Sequence, residues 1–143
     1  SMNDSTQKLN VSAAVTITDA KYIEEEAIVF GNSVEMVPAL TIKSGITYEY
    51  KNFLIAGIIN VQSKQFSEST NAEKSYNGVY GIIPNFYVID AKIGYTFKRF
   101  SFQVLVNNIT DHMYFTQRAN SYPGPGIIPS EGRTIFGGVI FKL

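Results

Sequence analysis

The sequence has 143 residues, 45% hydrophobic and 17% charged, with 12 Lys and Arg balanced by 12 Asp and Glu. A neutral chain of this length has the bulk of one ordinary domain and lacks the basic footprint that nucleic-acid binding requires. It has no cysteine, so disulfide frameworks and thiolate metal sites are excluded.

Ser1-Met2 reads as a cloning remnant, leaving residues 3–143 as the segment to explain. No run of 18 apolar residues occurs, which excludes a membrane-spanning helix but not a barrel, whose strands never show such runs. The dominant pattern is alternation with period two. Leu9 to Ile17 sets Leu9, Val11, Ala13, Val15 and Ile17 against Asn10, Ser12, Ala14 and Thr16. "IEEEAIVF" (23–30) has residues for one helical turn but no partner face. A strand from about 36 to 50 sets Leu40, Ile42, Ser44, Ile46 and Tyr48 against Thr41, Lys43, Gly45, Thr47 and Glu49. Residues 53–65 continue with Phe53, Ile55, Gly57, Ile59 and Val61 on one row. In "NFYVIDAKIGYTF" (85–97), Tyr87, Ile89, Ala91, Ile93, Tyr95 and Phe97 oppose Val88, Asp90, Lys92, Gly94 and Thr96. Residues 100–108 and 134–143 complete about six strands in an all-β, antiparallel up-and-down meander.

The connections alternate in length. Tight turns fall at Tyr50–Asn52 and Lys98–Arg99, and long loops at about 22–35, 67–84 and 110–132. Loops sorted by side follow the plan of outer-membrane barrels, with short turns on one side and long loops on the other. About 12 residues at about 3.3 Å each, tilted about 45°, project to roughly 28 Å, close to a bilayer's hydrocarbon core. Lys43, Asp90, Lys92 and Lys142 lie on the polar row, and Asp19 and Arg133 lie on the greasy row near the long loops. Aromatics gather at the tight-turn ends, among them Tyr48, Tyr50, Phe53, Tyr95, Phe97, Phe100, Phe102 and Phe141, as interfacial girdles do. The alternative is a soluble β-domain with one face buried, acting as a binding or structural module. In water an open six-stranded sheet exposes two edges and an apolar face, so the isolated chain is expected to curl, pair its faces or self-associate.

Two stretches carry a resemblance. "LVNNITDHMYFTQRANSYPGPGIIPSEGRTIFGGVIFKL" (105–143) resembles the C-terminal end of TonB-dependent outer-membrane receptors, through Asn107-Asn108, Asp111, Tyr114-Phe115, the Pro/Gly-rich loop and Glu131-Gly132-Arg133. Its Tyr-Pro-Gly-Pro-Gly form is similar to the ferric-citrate and siderophore receptor branch. "GNSVEMVPALTIKSGITYEY" (31–50) and "YNGVYGIIPNFYVIDAKIGYTF" (76–97) match further pieces in the family's order. Such barrels often end in an aromatic residue, whereas this sequence ends in Leu143. The resemblance implies a C-terminal part of a barrel of about 22 strands closed around a plug. The plug, the segment that engages TonB and the signal peptide are expected to lie outside these residues. It implies a Gram-negative outer-membrane location, lipid and the TonB complex as partners, a ferric chelate as transported ligand, no cofactor in this segment and no enzyme activity.

The ligand candidates are cationic and hydrogen-bonding groups on the outer loops, because an anionic iron chelate needs both. They are Gln117, Arg118 and Arg133, with Tyr114 and Tyr122 as aromatic support. The competing expectation is that the two arginines bond loop carbonyls or a nearby carboxylate such as Glu131. His112 is the single histidine, so a His-based metal site or catalytic triad cannot be assembled; it reads as a polar residue at a strand end. Glu24, Glu25 and Glu26 read as a solvated acidic run, and Asp90 with Lys92 as an ion pair on the polar row. "RANSYPGPGIIPSEGR" (118–133) is not a phosphate loop, because no Lys-Ser/Thr follows its glycines. Its prolines make it a stiff connector.

Overall fold

A computed structural model describes residues 7–25, 28–119, 121 and 125–143. Among the described residues ten strands are present: β1 (Gln7–Ile17), β2 (Leu40–Tyr50), β3 (Phe53–Gln62), β4 (Gln65–Phe66), β5 (Ile82–Ile83), β6 (Phe86–Phe97), β7 (Phe100–Asn107), β8 (Phe115–Ala119), β9 (Gly126–Pro129) and β10 (Thr134–Phe141). Six form one antiparallel sheet in the order β1-β2-β3-β6-β7-β10, while β4-β5 and β8-β9 form two small ribbons. The sheet is an open meander, with β1 and β10 as its edges.

The pairing register explains why alternation was so legible. Leu9 faces Tyr48, Tyr48 faces Ile55, Ile55 faces Ile93, and Ile93 faces Val104. Residues opposite one another share a face, so every greasy row falls on the same side of the sheet. That side carries no charge within the strands, and its one aliphatic hydroxyl in β2 is Ser44, with the phenols of Tyr48 and Tyr50 at the turn end. Lys43, Asp90 and Lys92 all fall on the other side.

At the tight-turn end the girdle is a set of ring contacts. Phe53 and Tyr95 lie 4.6 Å apart between centroids, and Phe100 and Phe141 5.0 Å apart. These rings come from adjacent strands, where paired residues approach closely enough for aromatics to interact.

Two expected boundaries shift by three residues or more. The second strand begins at Leu40 rather than about 36, because Met36 adopts a positive φ of 59°. The third ends at Gln62, and Gln65–Phe66 leave the sheet to pair with Ile82–Ile83. The loops therefore contain ribbons that periodicity alone did not show. No helix occurs among the described residues, and Glu26 and Ala27 of "IEEEAIVF" lie outside them.

The chain has almost no core of its own. Its buried hydrophobic residues are Ile83, Phe86 and Ala119, all at the loop end, among the described residues. A monomer of 15.9 kDa exposes about 7,400 Å² by the usual size scaling. This chain exposes 10553 Å². The excess belongs to two bare sheet faces, and something beyond the single chain must cover the apolar one.

Candidate functional site

The loop end is where side chains converge. β7 stops at Asn107 because Asn108 and Asp111 both turn left-handed, with φ of 48° and 54°. Asn tolerates this region because its short side chain bonds the local backbone. Asn108 is 2% exposed. Its amide N–H donates to Asp90 Oδ1 at 2.8 Å, its Oδ1 accepts the His112 N–H at 3.0 Å, and its Nδ2 donates to the His112 carbonyl at 3.0 Å. Asp111 Oδ1 accepts the Arg133 N–H at 2.9 Å, and Oδ2 meets Arg133 Nη2 at 3.4 Å. A Cβ on Gly132 would lie 3.3 Å from Asp111 Oδ1, so the glycine gives the carboxylate room. The loop's two feet are thus tied into one knot.

The expected Asp90–Lys92 ion pair is absent. Their positions on one face are about 6.6 Å apart along the strand. Asp90 serves instead as the acceptor that the buried Asn108 amide requires.

A second clasp closes the connection between β3 and β6. Gly81 has φ of 137°, and a Cβ there would sit 2.7 Å from the Glu73 carbonyl oxygen. Only glycine permits that approach. Ile82 N–H donates to the same carbonyl at 3.0 Å, and Gly81 N–H donates to Ser67 Oγ at 2.9 Å. This holds Ile83 fully buried beneath the loops.

Polar side chains stitch the loops together, Arg118 and Asn71 with two bonds each. Arg118 on β8 donates from Nη1 to the Gly78 carbonyl at 2.7 Å and from Nη2 to the Ile82 carbonyl at 3.0 Å, with its guanidinium 5.2 Å over the Phe115 ring. Asn71, at φ of 57°, accepts the Ser33 N–H at 2.7 Å and donates to the Ser33 carbonyl at 2.8 Å. In the first loop the Tyr22 hydroxyl donates to Glu35 Oε2. That bond holds the Glu35 carboxyl below its ordinary range and raises the Tyr22 phenol above its own.

No protein-family model matches the sequence, and neither does any curated protein. Solved structures do. The unliganded ferric citrate transporter FecA superposes with a TM-score of 0.80 at 26% identity, covering 92% of this chain and 21% of its own. The siderophore receptor PiuA from Acinetobacter baumannii gives 0.72 at 22% identity, covering 98% of this chain and 20% of its own. The ferric yersiniabactin uptake receptor FyuA from Yersinia pestis gives 0.77 at 15%, covering 93% and 21%. The chain has the fold of a TonB-dependent receptor barrel segment. It spans about a fifth of the length of these transport and uptake receptors. The open sheet, the uncharged face and the loops gathered on one side are what a segment cut from such a barrel displays.

On this barrel segment the predicted ligand residues do not form one cluster. Arg118 gives both terminal nitrogens to loop carbonyls, and Arg133 pairs with Asp111 rather than Glu131. Gln117 is exposed on β8. Tyr114 stacks on Phe86 at 4.7 Å. Tyr122 lies outside the described residues. Among the described residues, Arg118 and Arg133 share no hydrogen-bond or ion-pair partner. His112 is more than a polar strand end, since its ring stacks on Tyr87 at 4.8 Å. Asn71 and Asn108 went unremarked as structural residues, although asparagine inside a loop between strands is itself a signal for a left-handed position.

Proposed function

We propose that the chain is the C-terminal barrel segment of a TonB-dependent receptor that imports a ferric chelate, with ferric citrate the first ligand to test. The observation that supports it best is the FecA superposition, 26% identical over 92% of the chain. The fold leaves the ligand open, because the copper transporter OprC shares it at a TM-score of 0.60. The chelate branch rests on the Tyr-Pro-Gly-Pro-Gly resemblance together with that FecA likeness.

In this reading the uncharged face meets lipid in a Gram-negative outer membrane, the polar face lines the lumen, and the stitched loops form part of the outer surface. Gln117, Arg133 and Tyr122 would offer contacts to the chelate, Tyr114 would support them, and Arg118 would fix the loop that presents Gln117. Uptake of this kind is binding and gating, so no catalytic role is assigned. Coupling to TonB would run through parts of the receptor beyond these residues. A soluble β-domain fits less well, since nothing among the described residues covers the apolar face.

The test is deletion of the gene and restoration with the whole reading frame. Iron-limited growth on ferric citrate, and uptake of radioactive iron from it, should fall on deletion and return on restoration. Uptake that is indifferent to the gene would overturn the substrate assignment. Absence of the protein from the outer-membrane fraction would overturn the barrel reading.

A further inference from the structure

The tight-turn end has a feature that loop-side binding leaves unexplained. Lys51 and Lys98 sit at the tips of the two turns, both left-handed at φ of 52° and 54°. Gly or Asn adopts that conformation at lower steric cost, yet both turns hold lysine. The Lys51 Nζ lies 5.1 Å from the Tyr50 ring centroid, and the Lys98 Nζ 5.5 Å from that of Phe97. Tyr50 and Phe97 belong to the apolar rows, so both ammonium groups stand over the girdle at the border of the uncharged face. Arg99 and Lys142 join them, because the Lys142 N–H donates to the Arg99 carbonyl at 2.9 Å.

This rim is braced. Asn52 Nδ2 donates to the Thr96 carbonyl at 2.7 Å, and the Thr96 N–H donates to the Asn52 carbonyl at 2.9 Å, fastening one turn to the strand of the next. Lys51, Lys98, Arg99 and Lys142 are exposed, and none is in an ion pair among the described residues. The acid nearest Lys51, Glu49, lies on the polar row opposite Lys8 and lines one cavity with Lys51 and Lys98 without pairing with either. The long loops are the reverse, with acidic residues outnumbering basic ones from Asp19 to Glu131.

We propose that this rim binds anionic phospholipid headgroups of the leaflet at the turn end, a proposal that rests on the membrane-barrel reading. Aromatic girdles lie at headgroup depth. Unpaired cations braced beside them meet lipid phosphates and favour leaflets with net negative charge. The favoured lipid is one whose phosphodiester carries no compensating amine, such as phosphatidylglycerol.

The whole protein is extracted from cell membranes in lipid-retaining copolymer discs, and the lipids in its discs are quantified by mass spectrometry against bulk membrane. Phosphatidylglycerol should be enriched about fivefold or more, since each basic residue near an anionic surface contributes a factor of about five. Enrichment should fall as salt rises, because exposed charges are screened. The variant K51Q/K98Q/R99Q/K142Q should return to the bulk ratio, and K51R/K98R/K142R should keep the enrichment. Single Gln variants should show graded losses if the fourfold variant fails to fold. Equal enrichment in the Gln and Arg variants, or bulk lipid around the unaltered protein, would overturn the rim proposal alone. So would a soluble protein held there in place of lipid. Absence from the membrane fraction would overturn the barrel reading as well.

Discussion

A lysine placed on the apolar face should be expensive, while the existing lysine one residue away is not. Ile93 lies near the middle of β6, is 56% exposed, and pairs with Ile55 and Val104 across an uncharged surface. At about 3.3 Å per residue and a tilt near 45°, it stands about 3–4 Å from the midpoint of the strand along the membrane normal. Ile93→Lys therefore puts an ammonium group close to the bilayer midplane, at a cost of about 2–4 kcal/mol. That is roughly a 30- to 1,000-fold loss in the folding equilibrium. Lys92 has its side chain on the opposite face and incurs no such cost, so Lys92→Ile should change stability by about 0.5 kcal/mol or less, as surface substitutions do. The assay is denaturant unfolding of the receptor carrying each change, folded in phospholipid vesicles. A spin label at Ile93→Cys adds a readout of environment, helped by the absence of other cysteines in this chain. The label should be open to oxygen and shielded from a water-soluble nickel relaxant. Equal effects of the two substitutions, or a label at position 93 open to nickel, would refute the assignment of the faces.

Other expectations follow from the loop clasps. Gly81→Ala should open the 67–84 loop to protease, because its Cβ would meet the Glu73 carbonyl at 2.7 Å. Gly78→Ala, with nothing within 4 Å, should cost only the left-handed penalty of about 1–2 kcal/mol. Asn108→Ala should lose about 2–4 kcal/mol, from the stranded His112 backbone groups and the left-handed position together, and hydrogen exchange at the His112 amide should accelerate. Tyr22→Phe should move the Glu35 carboxyl back up toward its ordinary range, read by carboxyl-carbon NMR titration; an unchanged midpoint would contradict the bond. The lowered Glu35 contributes stability above its unfolded pKa and loses it as pH falls through the folded value. The raised Tyr22 contributes below its unfolded pKa and loses it as pH rises through the folded one, so the pair is intact across neutral pH. In detergent-free buffer the isolated chain should sediment as an assembly, and a clean monomer would mean that its apolar face is covered from within.

The sheet was legible because one physical rule acts along every strand. Side chains alternate, and a one-residue slip would turn Ile55 and Ile93 to the polar side and Lys92 to the greasy side. The tight turns were legible because strands joined by two residues have little choice but to be neighbours. The site was less legible. Gln117, Arg118 and Arg133 share a loop in the sequence, but whether a guanidinium faces solvent depends on carbonyls that arrive from elsewhere. Asp90 beside Lys92 suggested an ion pair for the same reason, since the Asn108 amide that claims Asp90 is 18 residues away.

By itself the sequence determined the six strands of the main sheet, the two unlike faces, the turn-end aromatics and the sorting of loops, because each is a local or periodic property of the chain. The tertiary structure decided what the loop residues do. Asn71, Asn108 and Arg118 satisfy backbone groups brought to them from 38, 4 and 40 residues away, and Gly81 is required by a carbonyl eight positions earlier only because the chain folds back on itself there. Hydrogen-bond partners supplied by distant backbone follow no period, so they become readable only once the sheet has fixed where each loop begins and ends.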